Sequence, residues 1–242
     1  MNVNRTRIGG LLCAVALTVA ATGCGGDANP STAGDTDATT VRATGPCANG
    51  VLPQVASPDR SYSAPAQVLK SNCDYRATIA TNFGPITVSL DPQAAPETVN
   101  SFVFLATHGF FDGLTFHRVV PGFVIQGGDP TGTGTGGPGY TLPDELPAAP
   151  GYPVGAVAMA NAGPNTSGSQ FFIVTGDGAA NLPNAYSLFG EVTSGLDVAR
   201  TIEGLADPNA DPNDPAAQRP TRPAEITSIR ITESSPSAAG GR

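Results

Sequence analysis

The sequence has no tryptophan, two methionines and two histidines, and only 13% of its residues are charged. Basic residues are scarce: 12 Lys and Arg stand against 20 Asp and Glu, a formal charge of -8. Such a chain lacks the cationic surface that neutralises phosphates, so nucleic acid is excluded as a partner. The strand-turn-helix elbow G-x-S-x-G of a serine hydrolase is absent. The one Gly-rich run, GGDPTGTGTGGPG at 127–139, lacks the Lys-Ser/Thr ending of a phosphate-binding loop, so it reads as a flexible loop. What the chain does have is 30 Gly and 23 Pro among 40% hydrophobic residues. That composition favours many short elements joined by tight turns, a mainly β fold, in one sizeable domain with extensions.

No apolar run reaches the ~20 residues that a membrane span requires. The N-terminus instead reads as an export signal. Arg5 and Arg7 precede a short apolar run from Ile8 to Ala20, and Ala21-Thr22-Gly23-Cys24 resembles a bacterial lipobox. The expectation is a signal peptide over 1–23 with Cys24 lipidated, tethering the chain to the extracytoplasmic face of the cell membrane. Cleavage at an ordinary small-residue site, giving a secreted protein, is the alternative, because Leu is usual where Ala21 stands. Removing the signal leaves ten basic against twenty acidic side chains. Residues 24–46 are small and polar and cannot bury enough surface to fold, so they read as a stalk.

Cysteine is scarce too. Of four, Cys13 falls in the signal and Cys24 at the lipobox, which leaves Cys47 and Cys73. In an oxidising compartment a disulfide between them is expected, stabilising by about 3 kcal/mol; the alternative is two free thiols. Neither has a histidine nearby, so no metal site is expected. Residues 47–74 read as an N-terminal extension packed on the domain.

The domain is expected over 75–233, with 234–242 a tail. Alternation on both sides of Asn82-Phe83-Gly84 predicts a hairpin. Pro96-Glu97 opens an amphipathic helix with Val99, Phe102, Val103 and Ala106 on one face, ended by Gly109. Short apolar runs follow at 116–119, 123–126, 154–160, 171–175, 187–192 and 225–232, with a second helix over 194–205. Many strands and two helices predict a closed, capped barrel. Residues 206–223 form a loop rich in Pro and Asp.

Between Ala77 and Ala199 there is no Lys, and Arg118 is the only Arg. A lone guanidinium on a strand needs a task for its donors, either an ion pair with Asp129, Asp144 or Glu145 or a functional role. Alternation turns His117 to the opposite face, toward the interior, where a structural hydrogen-bonding role is expected.

Phe116-His117-Arg118, Pro121-Gly122-Phe123, Gln126-Gly127-Gly128-Asp129, the run from Met159 to Phe172 (MANAGPNTSGSQFF) and Leu188-Phe189-Gly190 together resemble the cyclophilin peptidyl-prolyl isomerases in order and spacing. The resemblance covers about residues 76–233 and implies a closed eight-stranded antiparallel β-barrel capped by two α-helices. Its groove would lie on the outer surface. By position, Arg118 is the implied catalytic residue. Phe123, Phe172 and Leu182 would line the pocket for the proline ring, and Gln126, Asn161 and Gln170 would hold the peptide backbone beside Ala160. Val124 stands where Met is usual and Tyr186 where His is common. The Trp that helps bind cyclosporin is replaced near Asn181.

The implied activity is cis-trans isomerisation of X-Pro bonds in exported proteins, assisting their folding, by a monomer without cofactor or metal. Proline-containing polypeptides are the expected partners, with weak cyclosporin binding. Two other readings remain open at this point. One is a lipid-anchored holdase that binds proline-containing segments without turnover, although Arg118 favours the enzyme. The other is a solute-binding lipoprotein, which would usually need two α/β lobes that the sequence does not present.

Overall fold

In a computed structural model of the protein, the residues described are 45–55, 60–149, 151–209, 214 and 217–236. The signal, Cys24, most of the stalk and the end of the tail lie outside them. Among the described residues, no helix is long and apolar enough to cross a membrane.

Among the described residues, ten strands form one antiparallel sheet: β1 (Gly50–Val51), β2 (Asp74–Thr81), β3 (Gly84–Leu90), β4 (Leu114–Thr115), β5 (Arg118–Val120), β6 (Val124–Gly127), β7 (Ala156–Met159), β8 (Phe171–Val174), β9 (Leu188–Ser194) and β10 (Glu225–Ser234). Two helices accompany them, α1 (Pro96–Thr107) and α2 (Leu196–Glu203), with a short 3-10 helix at Asp177–Asn181. The strand order is β1-β10-β2-β3-β9-β7-β8-β6-β5, with β4 paired to β10.

The expectation of a closed eight-stranded barrel is corrected in two respects. The strands number ten, because β1 and β4, of two residues each, add to the eight longer ones. The sheet is also an open path among the described residues, ending at β1 and β5. The physical reason lies at β5, whose outer edge is met by a loop. Val119 N–H donates to the Gln218 carbonyl at 2.8 Å, and Phe116 N–H to that of Ala224, also at 2.8 Å. The main chain of the loop before β10 thus takes the hydrogen bonds that a closing strand would have made.

The hairpin forms where alternation predicts it. Tyr75, Ala77 and Ile79 of β2 and Ile86, Val88 and Leu90 of β3 are buried, each set on one face. Helix α1 departs from the amphipathic expectation, because every residue from Thr98 to Ala106 is buried. Its first face meets the main core, where Phe102 lies 5.1 Å from the rings of both Phe111 and Phe189 and 5.6 Å from that of Phe171. Its second face is covered by the N-terminal extension. Asn100 Oδ1 accepts from the main-chain N–H groups of Val68 and Leu69, and Asn100 Nδ2 donates to the Ala66 carbonyl. The N-terminus of α1 has no side-chain cap of its own; the Glu145 carboxylate accepts from Glu97 and Thr98 N–H at 2.9 and 2.8 Å. A carboxylate there also opposes the positive end of the helix dipole. The observed α2 is shorter at both ends than 194–205 and buries Ala199 and Ile202.

Cys47 and Cys73 form a disulfide with Cα atoms 5.8 Å apart. Beside it, Lys70 Nζ meets the buried Glu233 carboxylate at 2.9 Å. Ala48 N–H donates to the same carboxylate at 2.6 Å, which fixes the start of the extension to β10.

Candidate active site

Two separate apolar clusters are packed on the sheet. The larger includes Ile79, Ile86, Phe102, Ile125, Phe171, Ile173, Phe189 and Ile229. The smaller is built from Val124, Tyr152, Ala156, Ala158, Phe172, Val174 and Ala179, with Phe123, Ala160, Leu182 and Tyr186 packed at its edge. Successive residues of β6 and β8 serve alternate clusters, as period-2 strands require.

Over the smaller cluster opens a cavity of about 200 Å³, lined by Arg118, Phe123, Val124, Gln126, Ala160, Asn161, Phe172, Leu182 and Tyr186. These are nine of the ten residues singled out from the sequence for catalysis and peptide binding. The tenth, Gln170, lines an adjoining cavity of about 330 Å³ that shares Gln126, Ala160 and Asn161 with the first.

Arg118 is half-buried on β5, opposite Gln126 in the ladder. Its Nε donates to Gln218 Oε1 at 2.5 Å and its Nη1 to Gln126 Oε1 at 3.1 Å. Gln126 Nε2 donates to Gln170 Oε1 at 2.9 Å, and Gln170 Nε2 to the Gly136 carbonyl at 2.9 Å. One chain of amides therefore aims the guanidinium. Burial pushes its pKa down, partly offset by Tyr186, yet an arginine stays protonated in a protein.

The ion-pair reading of Arg118 is not what the structure contains. Asp129 accepts from Thr131 N and Oγ1, Thr133 N and Gly134 N; Asp144 accepts from Asn165 N; Glu145 holds the end of α1. For Asp129, burial pushes the pKa up, but the loop's hydrogen bonds outweigh it and hold the carboxyl below its ordinary value. The first part of the Gly-rich loop, through Gly134, is thus wrapped around a buried carboxylate.

His117 faces the interior, and neither ring nitrogen is met at full hydrogen-bond geometry. Burial lowers its pKa, with the repulsion of Arg219 and Arg118 and against the attraction of Asp129 and of the nearby Thr115 main chain. The ring is therefore a buried neutral group.

Three supports were not legible in the sequence. Gln218 holds Arg118 from 100 positions away, out of a loop without periodicity. Tyr152, in the Gly- and Pro-rich segment GYPVG, accepts from Tyr186 N–H and donates to the Tyr186 carbonyl, at 3.0 and 2.8 Å. Glu203 of α2 accepts from Gly122 N–H at 2.6 Å and from Thr175 Oγ1 at 2.9 Å, fixing the β5–β6 turn. Gly122 sits at φ +68°, which suits glycine. Asn161 Nδ2 donates to the Ala185 carbonyl at 2.7 Å, so its side chain ties one rim of the cavity to the other.

The profile of the family described as cyclophilin type peptidyl-prolyl cis-trans isomerase/CLD matches residues 76–231. The chain belongs to that family, and its activity is peptidyl-prolyl cis-trans isomerisation. It is 54% identical over 118 residues to peptidyl-prolyl cis-trans isomerase B of Bacillus subtilis, covering 48% of this chain and 82% of that one. To peptidyl-prolyl cis-trans isomerase A of Mycobacterium tuberculosis H37Rv it is 44% identical over 172 residues, covering 64% and 91%. A crystal structure of a Cryptosporidium parvum cyclophilin type isomerase in the presence of the dipeptide Ala-Pro superposes with a TM-score of 0.56 at 33% identity, covering 64% of this chain and 98% of that one. The matched region begins at β2 and ends within β10, so the extension lies outside it.

Proposed function

We propose that the 200 Å³ cavity takes the proline ring of an X-Pro segment and that Arg118 is its catalytic residue. The observation that carries this reading is one charged group, held by two amide oxygens, at the rim of a hollow walled by Phe123, Val124, Phe172 and Leu182. An X-Pro bond rotates slowly because rotation breaks amide resonance, at a barrier of ~20 kcal/mol. As the bond twists, the prolyl nitrogen becomes pyramidal and gains a lone pair that the planar amide lacks. A guanidinium aimed at that nitrogen stabilises the twisted state above either planar one, which is the requirement for catalysis. Phe123, Val124, Phe172, Leu182 and Tyr186 anchor the ring. Gln126, Gln170 and the main chain at Ala160 and Asn161 hold the peptide, so rotation is confined to one bond.

The test is a protease-coupled isomerisation assay. Arg118→Ala should lower kcat/KM by about 100-fold, the scale for loss of one aimed donor in a site still partly open to water. Activity within about twofold of wild type would remove Arg118 from the catalytic role.

The substrates are proposed to be exported proteins, met outside the cell membrane by a monomer anchored through a lipid on Cys24. The Cys47–Cys73 disulfide supports an oxidising compartment. Intact mass of the membrane-extracted protein distinguishes lipidation from secretion. Asn181, exposed at the end of the 3-10 helix, offers neither an indole donor nor its area. Cyclosporin is therefore expected to inhibit weakly; inhibition at nanomolar concentration would contradict this.

A further inference from the structure

The adjoining 330 Å³ cavity has a wall made by the turn at 136–140, with Gly136, Gly137 and Tyr140 among its lining residues. That turn is held from outside the family's matched region. Tyr62 N–H, in the N-terminal extension, donates to the Pro138 carbonyl at 2.7 Å. On the next residue, Gly139 has φ +95°, and a Cβ there would lie 2.7 Å from the Tyr62 carbonyl and 2.9 Å from Ser61 Oγ. Two chain segments therefore touch backbone to backbone, with no room for a side chain between them. Pro138 itself is buried, with its ring close to Gly168. Tyr140 Oη and Ser101 Oγ are 2.7 Å apart, which joins the turn to α1.

Tyr62 in turn is anchored. Its ring meets Phe104 edge-on at 5.1 Å and His108 at 6.0 Å. The chain before and after it is tied to the domain at many points. Gln54 Nε2 donates to the Ala106 and Ile229 carbonyls, Val55 N–H to that of Thr107, and Arg60 to that of Asp112. Beyond Tyr62 come the Asn100 contacts and the disulfide.

We propose that the extension is a positioning element of the groove: Tyr62, seated on Phe104, clamps the Pro138–Tyr140 turn and so sets which side chains flanking the substrate proline the second cavity accepts. The inference rests on the groove assignment above. The two cavities share Gln126, Ala160 and Asn161, so a peptide with its proline in the first brings a neighbouring side chain to the second. A wall fixed from behind discriminates by size; an unclamped one yields to the larger group.

The experiment uses the full chain and short peptides with small or bulky residues one and two positions to either side of proline. In Tyr62→Ala the ratio of kcat/KM between the most and least favoured peptides should fall by at least about fivefold, expressed in KM. Tyr62→Phe, which keeps ring and backbone, should retain the wild-type ratio. Gly139→Ala attacks the same contact from the turn and carries the test if Tyr62→Ala does not fold; the same compression is expected. An unchanged ratio in a folded variant, or a uniform loss across all peptides, overturns the clamp. If Arg118→Ala keeps its activity, the groove assignment fails instead, and the two failures are read separately.

Discussion

Tyr152→Phe isolates one support of the groove with a change of a single oxygen. The hydroxyl bridges both main-chain polar groups of Tyr186, and Tyr152 is buried to 1% exposure. Burial raises its pKa, so the O–H donor is retained throughout the ordinary range. The ring contacts, edge-on to Phe172 at 6.1 Å and Tyr186 at 6.0 Å, survive in the variant. What is lost is one donor and one acceptor, leaving the N–H and C=O of Tyr186 without their partner. Each costs about 1 kcal/mol where water reaches part of the site, so the total is about 2 kcal/mol. For a chain of this size that lowers Tm by about 4–8 °C. Tyr186 lines the proposed proline pocket, so kcat/KM should also fall, by about three- to tenfold, since small misplacements of binding groups are felt in rate. Thermal unfolding by circular dichroism and the coupled isomerase assay read the two effects. A Tm within about 1 °C of wild type would refute the reasoning, because it would mean that the bridge contributes nothing net.

Reducing the Cys47–Cys73 disulfide, which spans 26 positions, should cost about 3 kcal/mol and about 6–12 °C in Tm; a melt unchanged by reductant would contradict it. For His117, burial lowers the folded pKa below the unfolded 6.5, so the unfolded state takes up the proton first. Stability is therefore full above about pH 6.5 and falls with acidification, at up to about 1.4 kcal/mol per pH unit until the folded pKa is reached. Asp129, held below the ordinary carboxylate range, and Arg118 keep their charges over the upper part of that range. In His117→Phe the slope should vanish, which urea titrations at pH 7 and 5 would measure; an identical slope in the variant would remove His117 as its source.

How much could be read beforehand depended on whether the cause was local. The β2–β3 hairpin was legible because alternation is written in consecutive residues. The two-residue strands β1 and β4 carry no period, so ten strands could not be counted. The spacing of Val99, Phe102, Val103 and Ala106 marks α1 as amphipathic, but Asn100, Ser101 and Phe104 are covered too, by segments whose approach is a tertiary event. The isolation of Arg118 in charge was visible; its partner Gln218 was not, since nothing in a Pro- and Asp-rich loop marks one amide among its neighbours. Nor did spacing alone bring Arg118 and Phe172 together. The order of the motif blocks did that, by resemblance.

The placement of the groove follows from how β6 and β8 divide their residues. Ile125, Phe171 and Ile173 join the larger cluster, whereas Val124, Phe172 and Val174, their immediate neighbours, join the smaller one under the cavity. A sheet buried on both faces at these strands gives near-continuous apolar sequence, which hides the division. The geometry nevertheless separates two kinds of consequence along one strand. Ile173→Ala removes buried methyl groups from the main core and should act through stability, on the scale of 2–5 kcal/mol. Phe172→Ala empties part of the wall that the proline ring would meet, and its effect should appear in KM beyond whatever stability it loses. Adjacent residues of one strand thus belong to the fold and to the site respectively, because a strand turns each successive side chain to the other face.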